Sequence, residues 1–157
     1  MESIENLQLR EATAADIVAM ARCQLDDPVN PVADSRMAAY FAGLHHPQRA
    51  LLARVGYVAL VNEKIVGYIA GHLTTRHGCA GEVQYLFVSP DYRRRGIATE
   101  LFRRLAKWFQ AQAAQHVCVA LADDSPKEAM PFYESVGACP FKKYWYAWED
   151  VGEGMKR

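Results

Sequence analysis

The sequence predicts an α/β (α+β) fold, a mixed sheet of about six to seven strands with helices on both faces. Three observations carry that expectation. Apolar residues recur at every second position in some stretches and at every third and fourth in others, so strands and helices alternate along the chain. The apolar strand Val83-Gln84-Tyr85-Leu86-Phe87-Val88 runs through a glycine-bearing loop into an amphipathic helix. With 51% apolar content in 157 residues, there is enough core to cover both faces of one sheet, and residues 1–157 read as a single domain.

Each element has its own signal. Leu7 to Arg10 alternates apolar and polar, as a half-buried strand does. Thr13 is placed to cap a helix from about Ala14, with Asp16 in its first turn and Ile17, Met20, Ala21 and Leu25 along one face. Asp26-Asp27-Pro28 breaks that helix, and a second is expected from about Ala33 to Leu44. Leu51 to Asn62 and Lys64 to Thr74 read as strands joined at Asn62-Glu63-Lys64, a hairpin signal. Gly81 to Val88 is the next strand, and Ser89-Pro90-Asp91-Tyr92 turns the chain away from it. The following helix starts near Ala98 or Thr99 and buries Ile97, Leu101, Phe102, Leu105, Trp108 and Phe109. Gln115 to Leu121 is another strand.

The C-terminal part begins at Ser125-Pro126-Lys127-Glu128. A capping serine, a proline at the first helical position and the glutamate of a capping box predict a helix that Gly137 ends. Pro131 inside it deletes a hydrogen bond and clashes with the carbonyl four residues back, so a kink or a late start is expected. Phe141 to Glu149 reads as a last strand, which makes the order β-α-α-β-β-β-α-β-α-β.

Charge and composition exclude several functions. Eighteen basic residues balance eighteen acidic ones, so no global field points to nucleic acid or to a bilayer. The charge is uneven, however: Asp91 to Lys107 holds six basic residues (Arg93, Arg94, Arg95, Arg103, Arg104, Lys107) against Asp91 and Glu100. A local patch on a neutral chain suits one polyanionic ligand better than DNA or RNA. Cys23, Cys79, Cys118 and Cys139 form no C-x-x-C pair, and the five histidines show no ligand spacing, so neither a metal nor a disulfide framework is expected. The N-terminus has no signal-peptide pattern and no apolar run reaches the ~20 residues of a membrane span, so the expected location is the cytoplasm.

The motif that carries chemistry is Arg93-Arg94-Arg95-Gly96-Ile97-Ala98. Alone, an arginine run is a solvated basic face. Between a strand and a helix start, the loop's unpaired N–H groups and the positive end of the helix dipole form a cradle for phosphate. A P-loop needs Gly-Lys followed by Ser or Thr, which is absent; a dinucleotide fingerprint needs three glycines where this loop has one. What remains is [QR]-x-x-G-x-[GA], filled by Arg93, Gly96 and Ala98.

With that loop the sequence resembles the GNAT superfamily of acyl-CoA-dependent N-acyltransferases, and the order of elements extends the resemblance over nearly the whole chain. Ala129-Met130-Pro131-Phe132-Tyr133-Glu134-Ser135-Val136-Gly137 is similar to a second family segment, A-x-x-[LF]-Y-x-x-x-G. Pro126 stands where many members have asparagine, which removes one polar contact to the cofactor.

The resemblance implies acetyl-CoA as co-substrate, with no metal. Leu86, Phe87 and Val88 would pair their backbone with the pantetheine arm. Arg93, Arg94, Arg95, Gly96, Ile97 and Ala98 would wrap the pyrophosphate, with a hydroxyl contact from Thr99. It also implies a catalytic pair. Tyr133 would return a proton to the leaving thiolate; its competing role is a tyrosine at the core edge with a structural hydroxyl. Glu82 would act as base towards the amine, often through water; its competing role is an exposed glutamate at a strand start. Simple alternation puts Glu82, Gln84 and Leu86 on one face of the strand and Val83, Tyr85 and Phe87 on the other. His72 and His77 are reserve bases.

The expected function is direct transfer of an acetyl group to a primary amine of a small molecule or peptide. No cysteine sits beside a histidine to form an acyl intermediate. The rival from another class is a non-catalytic acyl-CoA-binding or sensing module. Asp26 and Asp27 would attract a cationic amine or simply solvate their loop, and the aromatic strand Tyr144, Trp145, Tyr146 and Trp148 suggests a homodimer contact.

Overall fold

The computed structural model describes residues 5–23, 31–121 and 127–156, with backbone only over 31–35. The expectations placed on Leu25, Asp26, Asp27, Pro28, Ser125 and Pro126 lie outside the described residues. Seven strands form one sheet in the order β1-β2-β3-β4-β5-β7-β6: β1 (Leu7–Glu11), β2 (Ala50–Val61), β3 (Lys64–Thr74), β4 (Gly81–Val88), β5 (Val117–Ala120), β6 (Cys139–Lys142) and β7 (Trp145–Trp148). All neighbours are antiparallel except β4 and β5, which run parallel because α3 (Ile97–Ala111) carries the chain back between them.

The helices divide between the two faces as the composition predicts. On one face α1 (Ile17–Cys23) and α2 (Pro31–Phe41) pack Met20, Ala21 and Met37 against Val58, Leu60 and Tyr68. On the other, α3 buries Ile97, Leu101, Phe102, Leu105, Ala106 and Phe109 in the main core, which α4 (Ala129–Ser135) and the short α5 (Val151–Gly154) complete with Tyr133, Val136 and Val151.

The local chemistry behaves as read at several points. The Asp16 carboxylate accepts from the Thr13 N–H at 2.7 Å, although the first turn, Ala14–Asp16, is a 3₁₀ turn before α1 proper. The β2–β3 turn puts both Asn62 and Glu63 at positive φ, as the strands' right-handed twist requires of a two-residue loop. Gly137, at φ 97°, ends α4 with Ala138 N–H bonded to Tyr133 O and Gly137 N–H to Glu134 O.

Two elements differ from expectation. The stretch from Phe141 to Glu149 is not one strand: Lys143 and Tyr144 (φ 69°) turn the chain between β6 and β7. Its aromatics find partners inside the chain, with Trp148 stacked on Phe102 at 5.3 Å and Tyr146 donating to Glu134 at 3.2 Å. The helix foreseen from Ser125 begins at Ala129, the late start expected from Pro131, so Glu128 stands at the cap rather than in a capping box. Pro131 then falls in the first turn, where no N–H is needed and no kink follows.

Candidate active site

Two irregularities of β4 meet at one residue. Towards β3, the register steps from Ala70↔Tyr85 to Gly71↔Val83, so Gln84 is an extra residue with no partner: a β-bulge. Towards β5, pairing stops at Val83↔Val119, and residues 84–88 keep an edge with no strand beside it among the described residues. Among the described residues the sheet therefore splits past Val83, leaving the outward backbone groups of Leu86 and Val88 on an open edge, where Val88 O already accepts from Arg93 Nε at 2.9 Å.

The bulge corrects the expected faces. Glu82 lies opposite His72, Tyr85 opposite Ala70 and Phe87 opposite Tyr68, so these three share the α1–α2 side, where Tyr85 and Phe87 pack. Val83, Leu86 and Val88 face α3. Strict alternation would have grouped Glu82 with Leu86.

Glu82 is 3% exposed and His72 fully buried, which removes the reading of a surface glutamate. Glu82 Oε1 lies 3.6 Å from His72 Nε2, and Oε2 lies 4.0 Å from an Arg76 Nη. On its far side His72 shares a 2.9 Å hydrogen bond between Nδ1 and the Tyr40 hydroxyl. The Arg76 guanidinium stacks over Trp145 at 4.4 Å. A buried carboxylate requires a compensating charge or hydrogen bonds; here a guanidinium and an imidazole flank it. Burial pushes the Tyr40 phenol well above its ordinary range, so that hydroxyl keeps its proton. His77, the other reserve base, is exposed at φ 54° against Trp145 at 4.8 Å, a surface packing role.

At the end of β4, from Arg94 to Thr99, six consecutive backbone N–H groups make no backbone hydrogen bond among the described residues. Arg94 (φ 63°) and Gly96 (φ 85°) take left-handed conformations, and α3 starts at Ile97, so these donors gather at a helix N-terminus, an arrangement suited to an anion. The three arginines are not equivalent. Arg93 turns back, donating from Nε to Val88 O at 2.9 Å with its guanidinium 5.5 Å from the Phe87 ring. Arg94 and Arg95 are exposed. The open edge, the amides and the two outward arginines fit an extended ligand carrying amides at one end and phosphates at the other.

Tyr133, from α4, is 5% exposed and meets Trp148 edge-on at 5.8 Å; burial raises its phenol well above the ordinary range, so it too stays protonated. The four cysteines are free, and no group of metal-binding side chains occurs among the described residues. No helix among them is long and apolar enough to cross a membrane.

The sequence profile of the Acetyltransferase (GNAT) family matches residues 17–138. The chain belongs to this family. Among curated proteins, this GNAT chain is similar to N-alpha-acetyltransferase 30 of Schizosaccharomyces pombe, with 29% identity over 89 residues covering 55% of the chain and 59% of that relative. The chain thus spans under two thirds of the relative's length. Two solved structures share the fold. An acetyltransferase of the GNAT family from Staphylococcus aureus Mu50 has a TM-score of 0.68 at 14% identity, covering 90% of this chain and 97% of that one. The PaiA N-acetyltransferase of Thermoplasma acidophilum, solved in complex with coenzyme A, has a TM-score of 0.62 at 12% identity, covering 90% and 96%.

The sequence alone singles out Glu82, the loop and Tyr133 as candidates, and carries no sign of Tyr40 or of the stacking of Arg76 on Trp145. Tyr40 is 32 residues from His72, and nothing local to either announces the pair.

Proposed function

We propose that the chain transfers the acetyl group of acetyl-CoA directly to a primary amine, the free amino group of a peptide or small molecule, as a one-domain cytoplasmic enzyme. The observation that carries this is the coincidence at Gln84 of a split sheet and a buried carboxylate just before the split. Coenzyme A supplies the activated acetyl thioester. Leu86, Phe87 and Val88 would hold its pantetheine arm along the open edge of β4. The amides from Arg94 to Thr99, with Arg94 and Arg95, would hold its pyrophosphate.

The protein's own part in the chemistry is proton traffic and positioning. Glu82 takes the proton from the attacking amine through Oε2, directly or through water. Tyr133 gives its phenolic proton to the departing thiolate, a task suited to a phenol that burial keeps protonated. Holding amine and thioester in register supplies much of the rate. The similarity to an N-alpha-acetyltransferase supports a peptide amine as acceptor.

Calorimetric titration with acetyl-CoA, followed by a screen of short peptides and small amines for thiol release, tests this reading. Binding with turnover lost in both Glu82→Gln and Tyr133→Phe is expected. Binding without turnover of any amine would leave the acyl-CoA-binding module instead, and no binding would remove both.

A further inference from the structure

We propose that His72, fixed in one tautomer by Tyr40, is the positioning residue of the Glu82 carboxylate: its Nε2–H tethers Oε1 and leaves Oε2 to take the proton. This rests on Glu82 being the base.

The tautomer follows from bonding capacity. Tyr40 and His72 are both fully buried, and His72 Nδ1 is the one hydrogen-bond partner of the Tyr40 hydroxyl among the described residues. A sealed hydroxyl must donate somewhere, and among the described residues Nδ1 is the acceptor in reach, so Nδ1 carries the lone pair and a neutral imidazole has its hydrogen on Nε2. That nitrogen faces Glu82 Oε1, which can only accept. The opposite tautomer would set a lone pair against a carboxylate and leave the phenolic hydrogen without an acceptor. Both ends of the imidazole select the same form.

The Tyr40 ring cannot drift. Phe41, Tyr85 and His72 surround it at 5.2, 5.4 and 5.7 Å, and the Arg54 guanidinium sits 4.8 Å over its face while donating to Tyr40 O at 2.8 Å. His72 is therefore aimed by a rigid support. His72 Nε2 and Glu82 Oε1 are both sealed from solvent and unpaired, 3.6 Å apart. Closing to a charge-assisted contact of about 2.8 Å takes a movement of under an ångström, the tightening expected when a site fills. Oε2 is not among the sealed atoms, and its neighbour is Arg76 at 4.0 Å. A tether on Oε1 leaves one oxygen, in one direction, for the amine.

Two measurements test the assignment. Long-range ¹H–¹⁵N NMR of the full chain at pH 8 should show the neutral His72 imidazole protonated on Nε2, and Tyr40→Phe should abolish that preference; an Nδ1–H tautomer in the wild type would overturn the proposal without any variant having to fold. Kinetics with the amine the wild type uses should show His72→Leu lowering kcat about 10–100-fold with KM for acetyl-CoA unchanged, the usual scale for groups that orient a reacting residue. His72→Gln, which keeps an N–H near the Nε2 position, should recover most of it. Full kcat in His72→Leu, or no recovery in His72→Gln, overturns positioning. Glu82→Gln keeps the two ideas apart: if it retains turnover the base reading fails, whereas its inactivity beside a fully active His72→Leu defeats only the role of His72.

Discussion

Arg93→Ala and Arg95→Ala should separate what the arginine loop does for the fold from what it does for a ligand. Arg93 spends its guanidinium on β4, with Nε on Val88 O at 2.9 Å and the Phe87 ring at 5.5 Å. A half-buried hydrogen bond from a charged donor is worth about 1.5 kcal/mol at the low end of its range, and the cation–π contact about 0.5 kcal/mol, so truncation costs about 2 kcal/mol. For a domain of this size that lowers Tm by about 4–8 °C. Arg95 is exposed, and its only described contact is 5.9 Å over Tyr92, so its truncation moves Tm by less than about 2 °C. A charge-assisted contact to phosphate is worth about 1.5–3 kcal/mol, so Arg95→Ala should weaken coenzyme A binding roughly 10- to 150-fold, with a shallower salt dependence. Thermal melts without ligand and calorimetry at fixed salt measure both quantities. The reverse pattern, with Arg95→Ala losing stability at unchanged Kd and Arg93→Ala leaving Tm alone, would refute the assignment.

Three other substitutions test the frame around the site. A Cβ on Gly81 would lie 2.5 and 2.7 Å from ring atoms of the fully buried Phe109, so Gly81→Ala should cost about 1–3 kcal/mol in the wild type and much less in Phe109→Ala, where the ring is gone; equal costs in both backgrounds would sink the packing explanation. Asp16, held by the Arg10 guanidinium, titrates at about 2 instead of 3.8, so its contribution is complete above 3.8 and is lost as pH falls through 2. Asp16→Asn should destabilise by about 1–2 kcal/mol at pH 7, with the gap to wild type narrowing below pH 3.8 in urea titrations; a gap constant with pH contradicts this. Tyr133→Phe should lower kcat by about 10² with KM for acetyl-CoA unchanged, and an unaltered kcat would return Tyr133 to a purely structural role.

What the sequence disclosed follows from where its signals are local. β4 reads correctly at both ends because glycine opens it and Ser89-Pro90 closes it. The β6–β7 hairpin is hidden because its turn is Lys143-Tyr144, with no glycine, proline, asparagine or aspartate to mark it, so an aromatic run looks continuous. Pro131 does announce the late start of α4, since a proline can only sit in a helix where no N–H is required. Arg93 matches the loop pattern as well as Arg95 does, yet only the fold shows its side chain turned back to the strand. Tyr40, His72 and Glu82 come from three elements, and pairs so distant leave no spacing to read.

Gln84 shows how much of the site hangs on one residue. Tyr85 and Phe87 are fixed on the α1–α2 side by packing with Tyr40 and Tyr68, at 5.4 and 6.1 Å. Counting back by twos from them without a bulge would put Val83 on that same side and drive Glu82 towards α3, among Leu105 and Phe109, where the carboxylate would meet neither His72 nor Arg76. An unpaired buried charge costs several kcal/mol, a large part of a total stability of about 5–15 kcal/mol. By absorbing the extra residue the bulge keeps Glu82 on the polar side and, at the same point, bends β4 away from β5 so that the edge from Gln84 to Val88 opens. Deleting Gln84 would leave a regular ladder with Glu82 still opposite His72 but without the bend, so it should lower Tm by only a few degrees while weakening acetyl-CoA binding, whereas Gln84→Ala, which keeps the bulge, should leave both nearly unchanged. A deletion variant that binds acetyl-CoA as tightly as the wild type would mean that the open edge does not depend on the bulge. Position in this strand thus matters more than the identity of the inserted side chain, and that is why a reading by residue type passes over it.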